Sequence, residues 1–184
     1  MAGTPVLDMY LHAFAQGDLN ADGHGDVAMA AVGGVLILLG NGNGTFASAD
    51  YYDVGHTVGA VAVADFNRDR IPDIAVSVQA PDPRLLVGNG AGQFTLAPDQ
   101  NQSYGSQTAS ASVATGDFNG DGNNDLYMLE STQDYPFGQP FILFGAGNDT
   151  FSTFLAISSG PPLVGDLNGD GRSDLVALGD ELLR

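Results

Sequence analysis

Short apolar segments alternate with clusters of glycine, asparagine and aspartate along most of the chain. The apolar runs are four to seven residues long and show no sustained helical spacing, so they predict β-strands. The longest apolar stretch, residues 27–39, is too short to span a bilayer and is interrupted by Gly33 and Gly34. It therefore predicts two strands joined by a turn, within an all-β chain.

An acidic segment of nine residues recurs four times. The first residues of the copies lie 47, 52 and 49 residues apart, and a period near fifty indicates a repeat array. A small apolar run precedes each copy and a β-prone run follows it; in the first three copies, another apolar run then leads to a glycine-rich turn that ends in phenylalanine. The copies are DLNADGHGD (18–26), DFNRDRIPD (65–73), DFNGDGNND (117–125) and DLNGDGRSD (166–174).

Each repeat predicts four short strands, A to D, joined as a meander. Four strands in a repeat of about 45 to 50 residues are typical of a β-propeller blade, although a β-sandwich built from two meanders fits the same pattern. The chain is expected to form one propeller domain, 1–184, with about four blades of four antiparallel strands. The repeats are approximately 9–56, 57–108, 109–157 and 158–184.

The fourth repeat lacks a recognisable strand D, and residues 1–8 are predicted to supply it as a closing strand. Such a strand exchange would close the ring and leave no open sheet edge. The pattern leaves two alternatives open. Either the chain is a fragment of a larger propeller, or it is half of a ring closed by a homodimer.

The acidic segments offer oxygen atoms on alternate residues of a tight loop. Positions 1, 3, 5 and 9 are Asp, Asn, Asp and Asp in every copy. Calcium takes roughly six to eight oxygen ligands, so this density of hard donors favours Ca²⁺. Position 7 varies freely, as expected where only the backbone carbonyl is a ligand. A hairpin turn alone would explain a single such segment. Four segments with three carboxylates each need a cation, because the negative charges would otherwise repel one another.

The second loop departs from the pattern at position 6. Three copies have glycine there, Gly23, Gly122 and Gly171, and glycine adopts the left-handed backbone that lets a loop fold around an ion. Arg70 replaces it in the second copy, which strains the backbone and adds positive charge beside the ion. We therefore expect the second loop to bind calcium most weakly.

An EF-hand is excluded, because it needs a glutamate at position 12 of the loop, where this chain has Met29, Val76, Met128 and Ala177. The repeats instead resemble the FG-GAP or VCBS family. That family includes the blades of the integrin alpha-subunit propeller and of related secreted proteins, some of them lectins. The resemblance rests on the pattern DxNxDGxxD followed by a GNGxGxF-like turn, and it covers nearly the whole chain.

The resemblance implies a propeller with one Ca²⁺, about four in all, in the hairpin loop between strands A and B of each blade. The backbone carbonyl at position 7 would complete each site, at His24, Ile71, Asn123 and Arg172. The side-chain ligands are expected to be Asp18, Asn20, Asp22 and Asp26; Asp65, Asn67, Asp69 and Asp73; Asp117, Asn119, Asp121 and Asp125; and Asp166, Asn168, Asp170 and Asp174.

The net charge of the chain disfavours anionic partners. The chain has 22 acidic and 5 basic residues and a formal net charge of −17, so nucleic acid and anionic membrane surfaces would repel it. No membrane insertion is expected, and the absence of cysteine excludes a disulfide framework.

The first ten residues carry no signal-peptide pattern. Calcium loops nevertheless favour an extracellular or cell-surface context, because free Ca²⁺ is scarce in cytosol.

The loops at the other end of the blades, B–C and D–A, vary in length from repeat to repeat. Variable loops on a rigid scaffold commonly carry binding residues. Aromatic side chains beside amides and carboxylates suit sugar rings or a protein partner; the alternative is that they fill gaps between blades. The candidate ligand-binding residues are Tyr104, Asp134, Tyr135, Phe137 and Gln139.

Catalysis has little support in the sequence. The three histidines are scattered, cysteine is absent, and the repeated aspartates are assigned to metal. We therefore expect a non-enzymatic, calcium-binding recognition or adhesion module whose ligand is a glycan or an extracellular protein. The alternatives are a structural calcium-stabilised scaffold within a larger surface protein and, with less support, a propeller lyase or hydrolase.

Overall fold

The computed structural model is all-β within the residues that it describes, which confirms the predicted fold class. Fourteen strands make up the regular structure of that part of the chain. It contains no helix long and apolar enough to cross a membrane. The described residues are 13–47, 49–79, 83–99, 110–130, 139–156, 162–170 and 172–177.

Each of the first three repeats forms one four-stranded antiparallel sheet, termed a blade, in which consecutive strands pair. The fourth repeat contributes a two-stranded sheet within the described residues. This is the predicted meander. The first blade has β1 (Phe14–Gly17), β2 (Asp26–Ala31), β3 (Gly34–Leu38) and β4 (Asp50–Asp53); the second has β5 (Val58–Ala64), β6 (Asp73–Val78), β7 (Arg84–Gly88) and β8 (Phe94–Leu96); the third has β9 (Ser110–Gly116), β10 (Asp125–Glu130), β11 (Gln139–Gly145) and β12 (Phe151–Ala156); the fourth has β13 (Pro162–Gly165) and β14 (Asp174–Ala177).

Every acidic segment occupies the hairpin between the first two strands of its blade. The first strand ends just before position 1, and the second strand begins at position 9. Strand pairing therefore holds both ends of the loop at a fixed separation. The register is the same in all four blades: Gly17 pairs with Asp26, Ala64 with Asp73, Gly116 with Asp125, and Gly165 with Asp174.

The hydrophobic core lies between neighbouring blades. Strand β6 shows this arrangement, because all six of its residues are buried. Ile74 and Val76 pack against the first blade, whereas Ala75 packs against the third. Successive side chains of a strand point to opposite faces, so both faces of the second blade are covered. The main contacts between described strands of different blades join consecutive blades, and the sheets in the described part of the chain do not close into a ring.

Two features that bear on the number of blades lie outside the described residues. They are the predicted closing strand at residues 1–8 and the part of the fourth repeat after Ala177. Closure by strand exchange therefore stays a prediction, as do the boundaries of the repeats.

Shortening a side chain between the first two blades should destabilise the fold. Ile74 is fully buried in that core, and Ile74→Ala removes three carbon atoms from it. We expect the free energy of unfolding to fall by about 2–5 kcal/mol in urea titrations. Val32→Ala is the control, because Val32 is 55% exposed, and it should change stability by less than about 0.5 kcal/mol. Equal losses in the two variants would contradict this placement of the core.

Candidate functional site

The last aspartate of each of the first three acidic segments ties its loop to the C–D turn of the same blade. Asp26 is fully buried, and its two carboxylate oxygens accept the N–H groups of Leu19 and Gly40, each at 2.7 Å. Leu19 is position 2 of the loop, and Gly40 is the first residue of the glycine-rich turn. The same pair of bonds recurs from Phe66 (3.0 Å) and Gly88 (2.9 Å) to Asp73, and from Phe118 (2.8 Å) and Gly145 (2.9 Å) to Asp125.

The glycine that opens the turn is required by its distance from the acidic loop. A Cβ atom placed on Gly40 would lie 2.2 Å from the backbone oxygen of Gly25, at position 8. Gly88 and Gly145 make the same approach, at 2.3 Å from the oxygen of Pro72 and 2.1 Å from that of Asn124. Any larger residue would push the turn away from the buried aspartate.

Positions 1, 3 and 5 fold their oxygen atoms onto the loop backbone. The Asp18 carboxylate accepts the N–H groups of Asp22 (3.0 Å) and Gly23 (2.9 Å). The Asn20 side-chain oxygen accepts the same Asp22 N–H at 3.1 Å, and Asp22 in turn accepts that of His24 at 2.8 Å. Oxygen atoms from positions 1 and 3 thus converge on the amide of position 5. The second and third loops repeat these bonds.

Left-handed backbone occurs at position 4 as well as at position 6. Gly23 has a φ of 83°, as the sequence predicts, but Ala21, at position 4, is also left-handed with a φ of 59°. The second loop has arginine at both places, with φ values of 66° for Arg68 and 69° for Arg70. Each left-handed residue that is not glycine costs about 1 kcal/mol, so the second loop carries the most backbone strain of the four.

The donor set fits a hard cation, although the described side chains do not surround one. Within the described part of the chain, no group of three or more Asp, Glu or His residues could hold a metal ion as placed. The side chains at positions 1, 3, 5 and 9 offer oxygen, the donor that calcium prefers. A carboxylate has about four lone-pair positions, so one N–H bond per oxygen leaves others for a cation. The predicted calcium ligands therefore stay a prediction.

The electrostatics of the loops differ between their exposed and buried carboxylates. Hydrogen bonds from the Asn20 side chain and the His24 N–H lower the pKa of Asp22. Burial raises the pKa of Asp73 to about 6, against the opposing effect of its two N–H bonds, and burial also raises the pKa of Asp125. The buried charges are thus the costly ones, and a cation beside them would offset that cost.

The second and third acidic loops lie side by side and bond to each other. Arg68 donates to the backbone oxygen of Asp121 at 3.1 Å, and Asn124 donates its side-chain N–H to the backbone oxygen of Asp65 at 2.8 Å. The C–D turn of the third blade joins the same region, since Asn67 donates to Asp149 at 3.3 Å. These acidic loops and turns gather at one end of the blades.

A groove of about 510 Å³ opens between the second and third blades near this end. It lies between the last strand of the second blade and the C–D turn of the third. Asp99 in its wall pairs with Arg84, whose guanidinium also contacts His56 at 3.3 Å. The lining residues include Leu96, Pro98, Asp99, Asn148, Asp149 and Thr150.

The groove was not predicted from the sequence, and the side chains of the predicted ligand-binding residues lie outside the described part of the chain. Tyr104, Asp134, Tyr135 and Phe137 fall outside the described residues, and of Gln139 only the backbone is described, at the start of β11. Their role therefore stays a prediction. The groove combines residues about fifty positions apart, and no local pattern in either segment signals it.

Blades of four antiparallel strands with an acidic first hairpin define a propeller-type repeat protein. The model of the family described as FG-GAP-like repeat matches residues 18–76 and 65–128, more than half of the chain. The chain belongs to the FG-GAP-like repeat family, as the sequence predicts.

Two known proteins resemble the chain over part of their length. A lectin from Agrocybe aegerita, whose structure describes specific recognition of non-reducing terminal N-acetylglucosamine, shares the fold with a TM-score of 0.60 and 23% identity. The match covers 87% of this chain and 44% of the lectin chain. The phosphatidylinositol-glycan-specific phospholipase D of Rattus norvegicus is 28% identical over 147 residues, covering 62% of this chain. This chain spans only 17% of that relative.

Removing the buried aspartate should destabilise the protein whether or not calcium is present. Asp125→Ala leaves the N–H groups of Phe118 and Gly145 without their acceptor, so we expect a loss of at least about 2 kcal/mol in the free energy of unfolding, measured in excess chelator. Asp53→Ala is the matched control, because exposed Asp53 accepts a single N–H, from Gly55, and should cost under about 1 kcal/mol. A loss seen only with calcium would instead make Asp125 a metal ligand without this structural role.

Proposed function

We propose that the chain is a calcium-stabilised recognition module that works outside the cell and binds a glycan. The observation that carries this proposal is the placement of the repeated oxygen-rich loops at one end of the blades, beside a concave groove. The loops would hold the ions, and the groove would hold the ligand. Such a module needs no catalytic residues, in keeping with the expectation that the chain is not an enzyme.

Calcium would act here as a structural counter-ion. Twelve of the 22 acidic residues lie in the four loops, so they form the densest negative charge of the chain. Asp18, Asn20 and Asp22 are already oriented by the loop backbone, which lowers the ordering cost of binding an ion there. Bound Ca²⁺ supplies positive charge that offsets the repulsion between carboxylates and stabilises the folded loops.

The groove has the chemistry of a sugar-binding site. Leu96 and Pro98 offer apolar surface to the face of a sugar ring, and Leu96 is 39% exposed. Asn148 and Thr150 offer hydrogen-bonding groups on the opposite wall. Apolar lining with a few polar groups is typical of small-ligand sites. The lectin with the same fold recognises terminal N-acetylglucosamine, which makes that sugar the first ligand to test.

A protein ligand on the variable-loop face is the second candidate. The sequence places Tyr135 and Phe137 in a long B–C connection, where a partner could contact them. A scaffold role without a ligand is the remaining alternative. Binding experiments separate the three readings.

Chelation should lower the melting temperature, and added calcium should restore it. Ions that bind the folded loops stabilise the protein by about 2.7 kcal/mol per site at about a hundred times the dissociation constant. Magnesium should restore much less, because it keeps its waters and prefers a strict octahedron. Thermal melts at low ionic strength test this, and identical curves in calcium and in chelator would refute the metal assignment.

The calcium-dependent part of the stability should be unequal among the loops. Asp121→Ala removes a carboxylate from a loop with glycine at positions 4 and 6, whereas Asp69→Ala acts in the loop with two left-handed arginines. We expect Asp121→Ala to remove more of the calcium-dependent shift in melting temperature. The reverse order would show that the arginine loop holds its ion more tightly.

Groove variants should abolish glycan binding without unfolding the protein. A glycan array that includes terminal N-acetylglucosamine would identify the ligand, and Leu96→Ala and Asn148→Ala should then remove binding while the melting temperature changes little. Tyr135→Ala, in the predicted variable B–C loop, is the matched variant and should leave binding intact. If Tyr135→Ala abolishes binding and the groove variants do not, the ligand binds the variable loops. If no glycan binds, the result favours a structural scaffold without a glycan ligand.

A further inference from the structure

The first blade presents an apolar face that is partly exposed among the described residues. Phe14, Met29, Leu36 and Tyr51 pair in register across its four strands, so their side chains share one face of the sheet. Phe14 is 71% exposed and Tyr51 is 45% exposed. This is the face that points away from the second blade, because Ala28, which packs against that blade, alternates with Met29.

The equivalent face of the next two blades is buried by a preceding blade. Val61 and Val76 form the corresponding pair in the second blade, and they are 6% and 0% exposed. In the third blade, Met128 occupies the position of Val76, and both it and its partner on β11, Phe141, are buried, at 4% and 5% exposed. In the second and third blades, this face of the sheet is therefore covered by the preceding blade.

The fourth blade presents the opposite face. Leu167, at position 2 of its acidic loop, is 64% exposed, and Val176 in β14 is 45% exposed. Leu19 and Phe66 occupy position 2 in the first two loops and are 0% and 3% exposed, because each packs into the core shared with the following blade. Position 2 of the fourth loop has the right residue for that contact.

A glycine at the end of strand A in the fourth blade also indicates that this face can accept another blade. Strand A ends in glycine in three blades, and in two of them the following blade lies against it. A Cβ on Gly17 would be 3.1 Å from the Val63 side chain, and one on Gly116 would be 2.7 Å from that of Ser173. Gly165 keeps the glycine, yet the nearest atom to its Cβ position is 3.9 Å away, in Leu167 of its own loop.

We propose that these two faces bind each other between copies of the chain, the fourth blade of one copy against the first blade of the next. A blade face of matching register would fill each of these faces, and the chain carries one of each. The described strands of the first and fourth blades make no main contact within one copy. The chain matches 44% of the lectin chain, so two copies supply about the length of that protein. Such head-to-tail contacts close into a ring when the rotation between copies fits.

Sedimentation equilibrium of the whole chain tests the proposal. Each copy has a formal charge of −17, so the buffer should contain calcium and about 0.15 M salt, where the screening length is about 8 Å. We expect concentration-dependent dimers or longer head-to-tail assemblies. Phe14→Asp and Leu167→Asp should each raise the dissociation constant at least about tenfold, because each puts a charge on a face that must be desolvated.

A mixture of the two variants is the sharpest control. The Phe14→Asp chain keeps its fourth-blade face and the Leu167→Asp chain keeps its first-blade face, so an equimolar mixture should regain one contact per pair and form a heterodimer. Ala91→Asp, a change at an exposed residue in the C–D turn of the second blade, should leave association unchanged, and melting curves should show all three variants folded. A wild type that stays monomeric at every concentration, or a mixture that stays monomeric while the wild type associates, overturns the proposal.

Discussion

A buried carboxylate at the start of the second strand sets the geometry of the first three blades. Asp26, Asp73 and Asp125 are fully buried, and each accepts one N–H from its own acidic loop and one from the opening glycine of the next turn. One side chain therefore fixes two connections at the same end of the blade. Bonds to a charged acceptor are stronger than neutral ones, which allows a carboxylate to remain in a largely apolar setting. The residue opposite it must be glycine, because a Cβ atom there would clash with the backbone of the acidic loop.

This arrangement couples the fold to the chemistry of the loops. The carboxylate that holds the hairpin is also the last of the predicted calcium ligands, so a bound ion would share its oxygen atoms with the structural contact. Burial raises the pKa of Asp73 to about 6, which means that its charged form is held at a cost. The left-handed arginines add backbone strain to the same loop. A counter-ion would act on the electrostatic part of that cost and would leave the strain unchanged.

Local features were predicted well because their causes are local. The β-prone runs after the second and third acidic segments form β6 and β10, and the next apolar run of the second repeat forms β7, since short runs bounded by turn residues carry their own signal. The left-handed state at position 6 followed from glycine, but the one at position 4 was missed, because only Gly120 and Gly169 signal it and Ala21 and Arg68 do not. The groove and the bond from Arg68 to Asp121 depend on packing between repeats, which no single segment encodes.

Each sheet contacts mainly its neighbours, so the protection of backbone amides from hydrogen exchange should differ from blade to blade. A blade in the interior loses two interfaces when it opens, whereas a terminal blade loses one. The backbone amides of the second blade, with its fully buried strand β6, should therefore exchange with solvent hydrogen last. Within one copy, local opening is therefore expected to start at a terminal blade and to reach the interior blades last.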